Sequence, residues 1–113
     1  MKVSQATLLP PHLVQESERL GSLVARLRVA RRVKQADAAL RAGLSRNTAY
    51  RLEHGDPGVA LGQILRYLDA IAPGSTLRNL LDESDPALAS LSMRERTTRV
   101  RDLTSEELRE LEF

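Results

Sequence analysis

The 113 residues predict an all-α protein, a five-helix bundle carrying a C-terminal helical extension, and three observations point there. The apolar residues recur at helical spacing, as in Leu20, Leu23, Val24 and Leu27 or Leu61, Ile64, Leu65 and Leu68. Aromatics are scarce, with one Phe, two Tyr and no Trp, so the core must be built from Leu, Val, Ile and Ala helices. Glycine and proline fall between the periodic stretches, at Gly43, Gly55-Asp56-Pro57-Gly58 and Pro73-Gly74, where they divide one helix from the next.

Residues 1–12 read as an extended N-terminal arm ending in Pro10-Pro11. The first long helix is expected from about Val14 to Arg32, with Leu13, Leu20, Leu23, Val24 and Leu27 facing inward. Arg26, Arg28, Arg31 and Arg32 crowd its end, where they complement the helix dipole. They form either a solvated face or a set of phosphate contacts. The next stretch, Gln35 to Leu52, organises the chain. Gln35 to Ala42 is a short helix with small residues at Ala36, Ala38, Ala39 and Ala42. Gly43-Leu44 is a tight turn, because a residue without Cβ can close a helix in the left-handed conformation. Ser45 then caps a second short helix, Arg46 to Glu53, whose outward face carries Arg46, Asn47, Tyr50 and Arg51.

After the turn at 55–58, a regular helix is expected over Leu61 to Ala72, with Leu61, Ile64, Leu65, Leu68, Ile71 and Ala72 as one buried stripe. Ser75 or Thr76 caps a fifth helix bearing Leu77, Leu80 and Leu81. The extension, residues 84–113, starts with a short helix at Asp85-Pro86 that carries Leu88 and Leu91. Met93 to Arg101 reads as a basic strand or linker. Thr104-Ser105-Glu106-Glu107 has the pattern of a capping box that opens a last helix with Leu108, Leu111 and Phe113.

The residues Gln35-Ala36-Asp37, Ala39, Arg41-Ala42-Gly43-Leu44-Ser45, Thr48, Leu52-Glu53 and Gly55, with the helix that follows, resemble the XRE-type, lambda-repressor-like helix-turn-helix regulators. The resemblance runs from Leu20 to Leu81 and implies a DNA-binding domain at 13–83. It implies that Arg46, Asn47 and Arg51 read bases, with Tyr50 beside them on a sugar or a thymine methyl. It also implies that Gln35 anchors the phosphate backbone; Ser45, Thr48 and Lys34 are further candidates for phosphate contact. Arginine pairs with guanine O6 and N7, and asparagine with adenine N6 and N7, which suits such a face. Three positions depart from the family. Lys34 stands where Ser or Thr normally caps a helix, a loss of about 1 kcal/mol. Ala38 and Ala49 stand where larger apolar residues are usual, costing at most ~5 kcal/mol at ~0.8 per missing methylene. Leu40 or Tyr50 is therefore expected to swing inward.

Charge is distributed unevenly. From Arg19 to Gly55 nine Lys or Arg face two acids, and from Asp102 to Phe113 five acids face one Arg. One end suits a polyanion and the other a different partner. The chain has no cysteine, so disulfides and thiolate metal sites are excluded and a cytoplasmic home is expected. No stretch has the length of a membrane span or the pattern of a signal peptide. His12 and His54 lack acidic company, so no metal or cofactor is expected. Nor is there a glycine-rich phosphate loop or a credible triad, so no catalytic residue is assigned and the chain is not expected to be an enzyme.

Three functions fit. The first is a repressor that binds double-stranded operator DNA as a homodimer on an inverted repeat. Its dimer or partner contacts would lie at Leu77, Leu80 and Leu81, and at Leu108, Leu111 and Phe113. The second adds a cognate toxin, since HipB-like antitoxins of this family are similar in size and also repress their own operons. The third is a protein- or RNA-binding adaptor that uses the bundle without reading DNA sequence.

Overall fold

In a computed structural model that describes residues 4–111, and side chains for 4–100, seven helices follow one another. They are α1 (Gln5–Leu8), α2 (Pro11–Ala30), α3 (Gln35–Ala42), α4 (Arg46–Glu53), α5 (Leu61–Ile71), α6 (Leu77–Asp82) and α7 (Pro86–Leu111). No strand occurs among the described residues. Among them, no helix is long and apolar enough to cross a membrane. Helices α2 to α6 form the five-helix bundle and α7 is the extension.

The N-terminal segment differs from the expected extended arm. Gln5–Leu8 makes one helical turn, and α2 begins at Pro11, with Pro10 at its cap. Proline suits the first helical position because its missing N–H would have no partner there anyway. Helix α2 ends at Ala30, since Arg32 takes a left-handed conformation with φ 59°. The Val33 N–H then donates to the Arg28 carbonyl at 3.2 Å and the Arg32 N–H to Val29 at 3.0 Å. This satisfies two orphan carbonyls at a helix end. Gly43 does the same for α3 with φ 70°, and there the Leu44 N–H donates to Ala39 at 2.9 Å.

The core draws Val24 and Leu27 from α2, three alanines from α3, Ala49 and Leu52 from α4, Tyr67, Leu68 and Ile71 from α5, and Leu80 from α6. It corrects two expectations. On α5 the buried row is Ile64, Tyr67, Leu68 and Ile71, while Leu61 and Leu65 are exposed. The same 3.6-residue period allows either phase, and the bulky Tyr67 sets the inward one. Neither Leu40, 80% exposed, nor Tyr50, 54% exposed, swings in beside Ala38 and Ala49. Tyr67, the largest fully buried side chain, belongs to the same core cluster as Ala38 and Ala49.

Leu80 is also core, so it cannot serve as a contact to another chain; Leu77 is half-buried, and only Leu81 stands open. The side chains of Leu108 and Leu111, and all of Phe113, lie outside the described residues. The extension is another correction. Residues 93–101 form neither strand nor linker, and the 104–107 pattern starts no new helix, because α7 runs unbroken from Pro86 to Leu111. Asp85 begins it by accepting the Ala87 N–H at 2.9 Å. In the β-branched stretch, the Thr97 and Thr98 hydroxyls donate to the carbonyls of Met93 and Arg94, at 2.9 and 3.0 Å, so these threonines bond within the helix.

Candidate nucleic-acid interface

Two glycines let α2 cross the end of α4 almost backbone to backbone. A Cβ on Gly21 would lie 2.6 Å from the Gly55 nitrogen and 2.7 Å from the Leu52 carbonyl oxygen. A Cβ on Gly55, whose φ is 75°, would lie 2.4 Å from the Glu18 Cα. The Ser17 hydroxyl closes the crossing by donating to the Gly55 carbonyl at 2.5 Å.

Beside this crossing, Glu53 is the buried charged residue of the core. Arg28 grips it with two bonds, Nε to Oε2 at 2.7 Å and Nη2 to Oε1 at 3.1 Å, and gives its remaining nitrogen to the Val33 carbonyl at 2.9 Å. The Tyr67 hydroxyl donates to the same carboxylate. Donation to Glu53 raises the Arg28 pKa above its ordinary value. Burial first, and the adjacent carboxylate second, hold the Tyr67 hydroxyl well above the usual phenol range. One node thus ties α2, α4 and α5 together and fixes the C-terminal end of α4. A buried charge is tolerable only when paired and fully hydrogen-bonded, as Glu53 is.

With Ala49, Leu52 and Glu53 held inward, helical geometry turns Arg46, Asn47, Tyr50 and Arg51 out. Arg46 and Asn47, in the first turn, are exposed and have no intramolecular partner among the described residues. Tyr50 stacks on His54, ring centroids 3.9 Å apart, and the His54 Nδ1 lies 2.8 Å from the Tyr50 carbonyl oxygen. Arg51 is less free: its Nε donates to Asp56 at 2.7 Å, while the other Asp56 oxygen accepts the Gly58 N–H at 2.7 Å. These two bonds, the arginine's first, hold the Asp56 carboxyl below its ordinary range. Arg51 therefore braces the loop after α4 as well as facing outward.

The candidate phosphate ligands divide in the same way. Ser45 is committed to capping: its hydroxyl accepts the Thr48 N–H at 3.0 Å and donates to the Thr48 Oγ1 at 2.9 Å. That leaves the Thr48 hydroxyl proton available. Lys34 is exposed at the α3 cap position and its side chain makes no capping bond; Gln35 follows, half-buried. Of the arginines at the end of α2, three are spent internally. Arg26 pairs with Glu95 at 2.7 Å, Arg28 with Glu53, and Arg31 with Asp85 at 2.9 Å. Among the four, Arg32 is exposed and makes no such pair among the described residues.

Gly21, Asp56 and Tyr67 do not stand out in the sequence as determinants of the site, and Arg28 and Glu53 stand out there for other reasons than their pairing. A signal for Glu53 exists: Ala49, Leu52 and Glu53 share one row at helical spacing, so an acid there must be buried with a partner. Among the described residues, no group of three or more His, Cys, Asp or Glu could hold a metal ion.

Comparison with known proteins adds one finding: a family model described as a helix-turn-helix domain matches residues 19–81. No curated protein and no solved structure matches the chain.

Proposed function

Since the chain belongs to the helix-turn-helix domain family, of XRE-like type, through residues 19–81, we propose that this DNA-binding regulator is a sequence-specific transcriptional repressor acting as a cytoplasmic homodimer on an inverted repeat. The observation that carries this reading is the separation of faces on α4. Its inner row is locked by Glu53 while Arg46 and Asn47 stand exposed in the first turn. The N-terminal end of a recognition helix is where base edges in the major groove are met. One such helix covers too few base pairs for useful discrimination, so two copies are needed, with half-sites about one turn, ~34 Å, apart. Arg46 and Asn47 are the base readers, Tyr50 and Arg51 flank them, and Lys34, Gln35 and Thr48 take phosphates.

The test is affinity for the duplex upstream of its own reading frame against an unrelated duplex at the same salt. A ratio of about 10³ or more is expected for a specific reader. A ratio near one would favour the adaptor reading. Lys34→Ala should lower the slope of log affinity against log salt by about 1; an unchanged slope removes Lys34 from the contacts. An autoregulating antitoxin is a further refinement of the same reading. It requires a toxin frame beside this one whose product co-purifies with the full chain, and it fails if no such neighbour exists.

A further inference from the structure

Helix α7 has two sides with different fates. Leu88 and Leu91 face the bundle, and Ser92 and Glu95 hold Arg26 at 3.1 and 2.7 Å, which docks the first half of the helix on α2. On the far side Met93 and Val100 are 58% and 62% exposed, with Thr97 exposed between them. Met93, Thr97 and Val100 lie on one row at helical spacing, and the sequence continues that row at Thr104, Leu108 and Leu111. Residues 96–100 are exposed, and the molecule is elongated, 66 × 32 × 25 Å.

A projecting helix of this kind needs support. In proteins most helical stability comes from packing an apolar face against something, not from propensity. The charges make matters worse, since Asp102, Glu106, Glu107 and Glu110 gather toward the C-terminal end, where the helix dipole disfavours acids. The block just before them is basic, with Arg94, Arg96, Arg99 and Arg101.

We infer that the far side of α7 pairs, antiparallel, with the same face of α7 in a second copy of this chain. A two-fold axis near residue 102 lays Arg96, Arg99 and Arg101 of each copy alongside the stretch holding Glu106, Glu107 and Glu110 of the other, and opposes the two helix dipoles. It brings Met93 opposite Leu111 and Val100 opposite Thr104. A parallel pair would set arginine against arginine and acid against acid, which is repulsive. Such an arrangement is self-complementary, as a two-fold interface must be.

This rests on the homodimer reading above and names the element that makes the dimer. The experiment uses the full chain in three forms, measured by light scattering at micromolar concentration. One variant carries Arg96, Arg99 and Arg101→Glu; the other carries Glu106, Glu107 and Glu110→Arg. Arg94 is left alone because it reaches the Ala30 carbonyl at 3.4 Å and so touches the bundle. The wild type should be a dimer, each variant a monomer with unchanged thermal unfolding of the bundle, and an equal mixture of the two a heterodimer. Variants that stay dimeric overturn the inference and leave the homodimer reading standing. A wild type that is monomeric both free and on DNA overturns both. Orientation is read separately from a spin label on Met93→Cys. Antiparallel pairing separates the labels by about 27 Å, and labels in near contact would overturn it.

Discussion

The end of α2 and the start of α4 both carry arginine, yet they spend it in opposite ways. Arg26, Arg28 and Arg31 each close on a carboxylate of another segment, Glu95, Glu53 and Asp85. Arg46 closes on nothing within the described residues. The strongly basic balance of 19–55 therefore overstates the charge offered to a polyanion. Arginines that staple helices together and arginines that face outward look alike in a sequence. What separates them is whether a carboxylate from a distant segment arrives beside them. For Arg28 it does, because Gly21 and Gly55 let α2 press onto the end of α4 and bring Glu53 within reach.

The sharpest way to break this contrast is Glu53→Ala. It strands Arg28 and the Tyr67 hydroxyl in the interior, and removing one partner of a buried ion pair costs about 3–5 kcal/mol. Urea unfolding should show a loss of that order; a loss under about 1 kcal/mol would mean the node does not hold the bundle. Gly21→Ala comes next. Its methyl would meet backbone rather than a movable side chain, so helices α2 and α4 must part, at about 1–3 kcal/mol as for an overpacked core. Wild-type stability there would contradict the close crossing. Arg46→Ala probes the other side. It should leave unfolding within about 0.5 kcal/mol while weakening operator binding by about 1–3 kcal/mol, measured by titration of labelled duplex. A stability loss without an affinity loss would reverse the roles assigned to the two regions.

The smallest effect concerns Asp56, whose folded-state carboxyl titrates below its ordinary 3.8 because Arg51 and the Gly58 N–H stabilise the charged form. A depressed carboxyl contributes stability that is complete above the unfolded pKa and is lost as pH falls through the folded one. The contribution is present at neutral pH and disappears below about pH 4. Asp56→Asn should flatten that part of the stability–pH curve. An unchanged acid limb would show that the Arg51 pair is too well solvated to count.

How much was legible varied with how local the cause is. The pair α3 and α4 has the expected boundaries because its punctuation sits in adjacent residues: Gly43 in the left-handed conformation, Ser45 capping the next helix. The phase of α5 was not legible, since one period accommodates either Leu61 with Leu65 or Tyr67. Tyr67 goes inside as the largest fully buried side chain, with its hydroxyl satisfied by Glu53. Leu80 and Leu81 are neighbours in one apolar pair, and only packing decides that Leu80 goes inside. In α7 the β-branched, basic stretch argued against a helix. Good helix formers such as arginine outweigh that argument, and the threonine hydroxyls find acceptors one turn back. On the candidate face, outward orientation follows from spacing alone, whereas the tether from Arg51 to Asp56 depends on how the loop after α4 folds back.

The inner and outer rows of α4 share no residue. Ala49, Leu52 and Glu53 dictate how the helix sits, and positions 46, 47 and 50 have no part in that. Such a helix behaves like a socket with an interchangeable bit. New side chains at those three places should alter which duplex is preferred without renegotiating the architecture, so a library randomised there should yield mostly folded members with diverging targets.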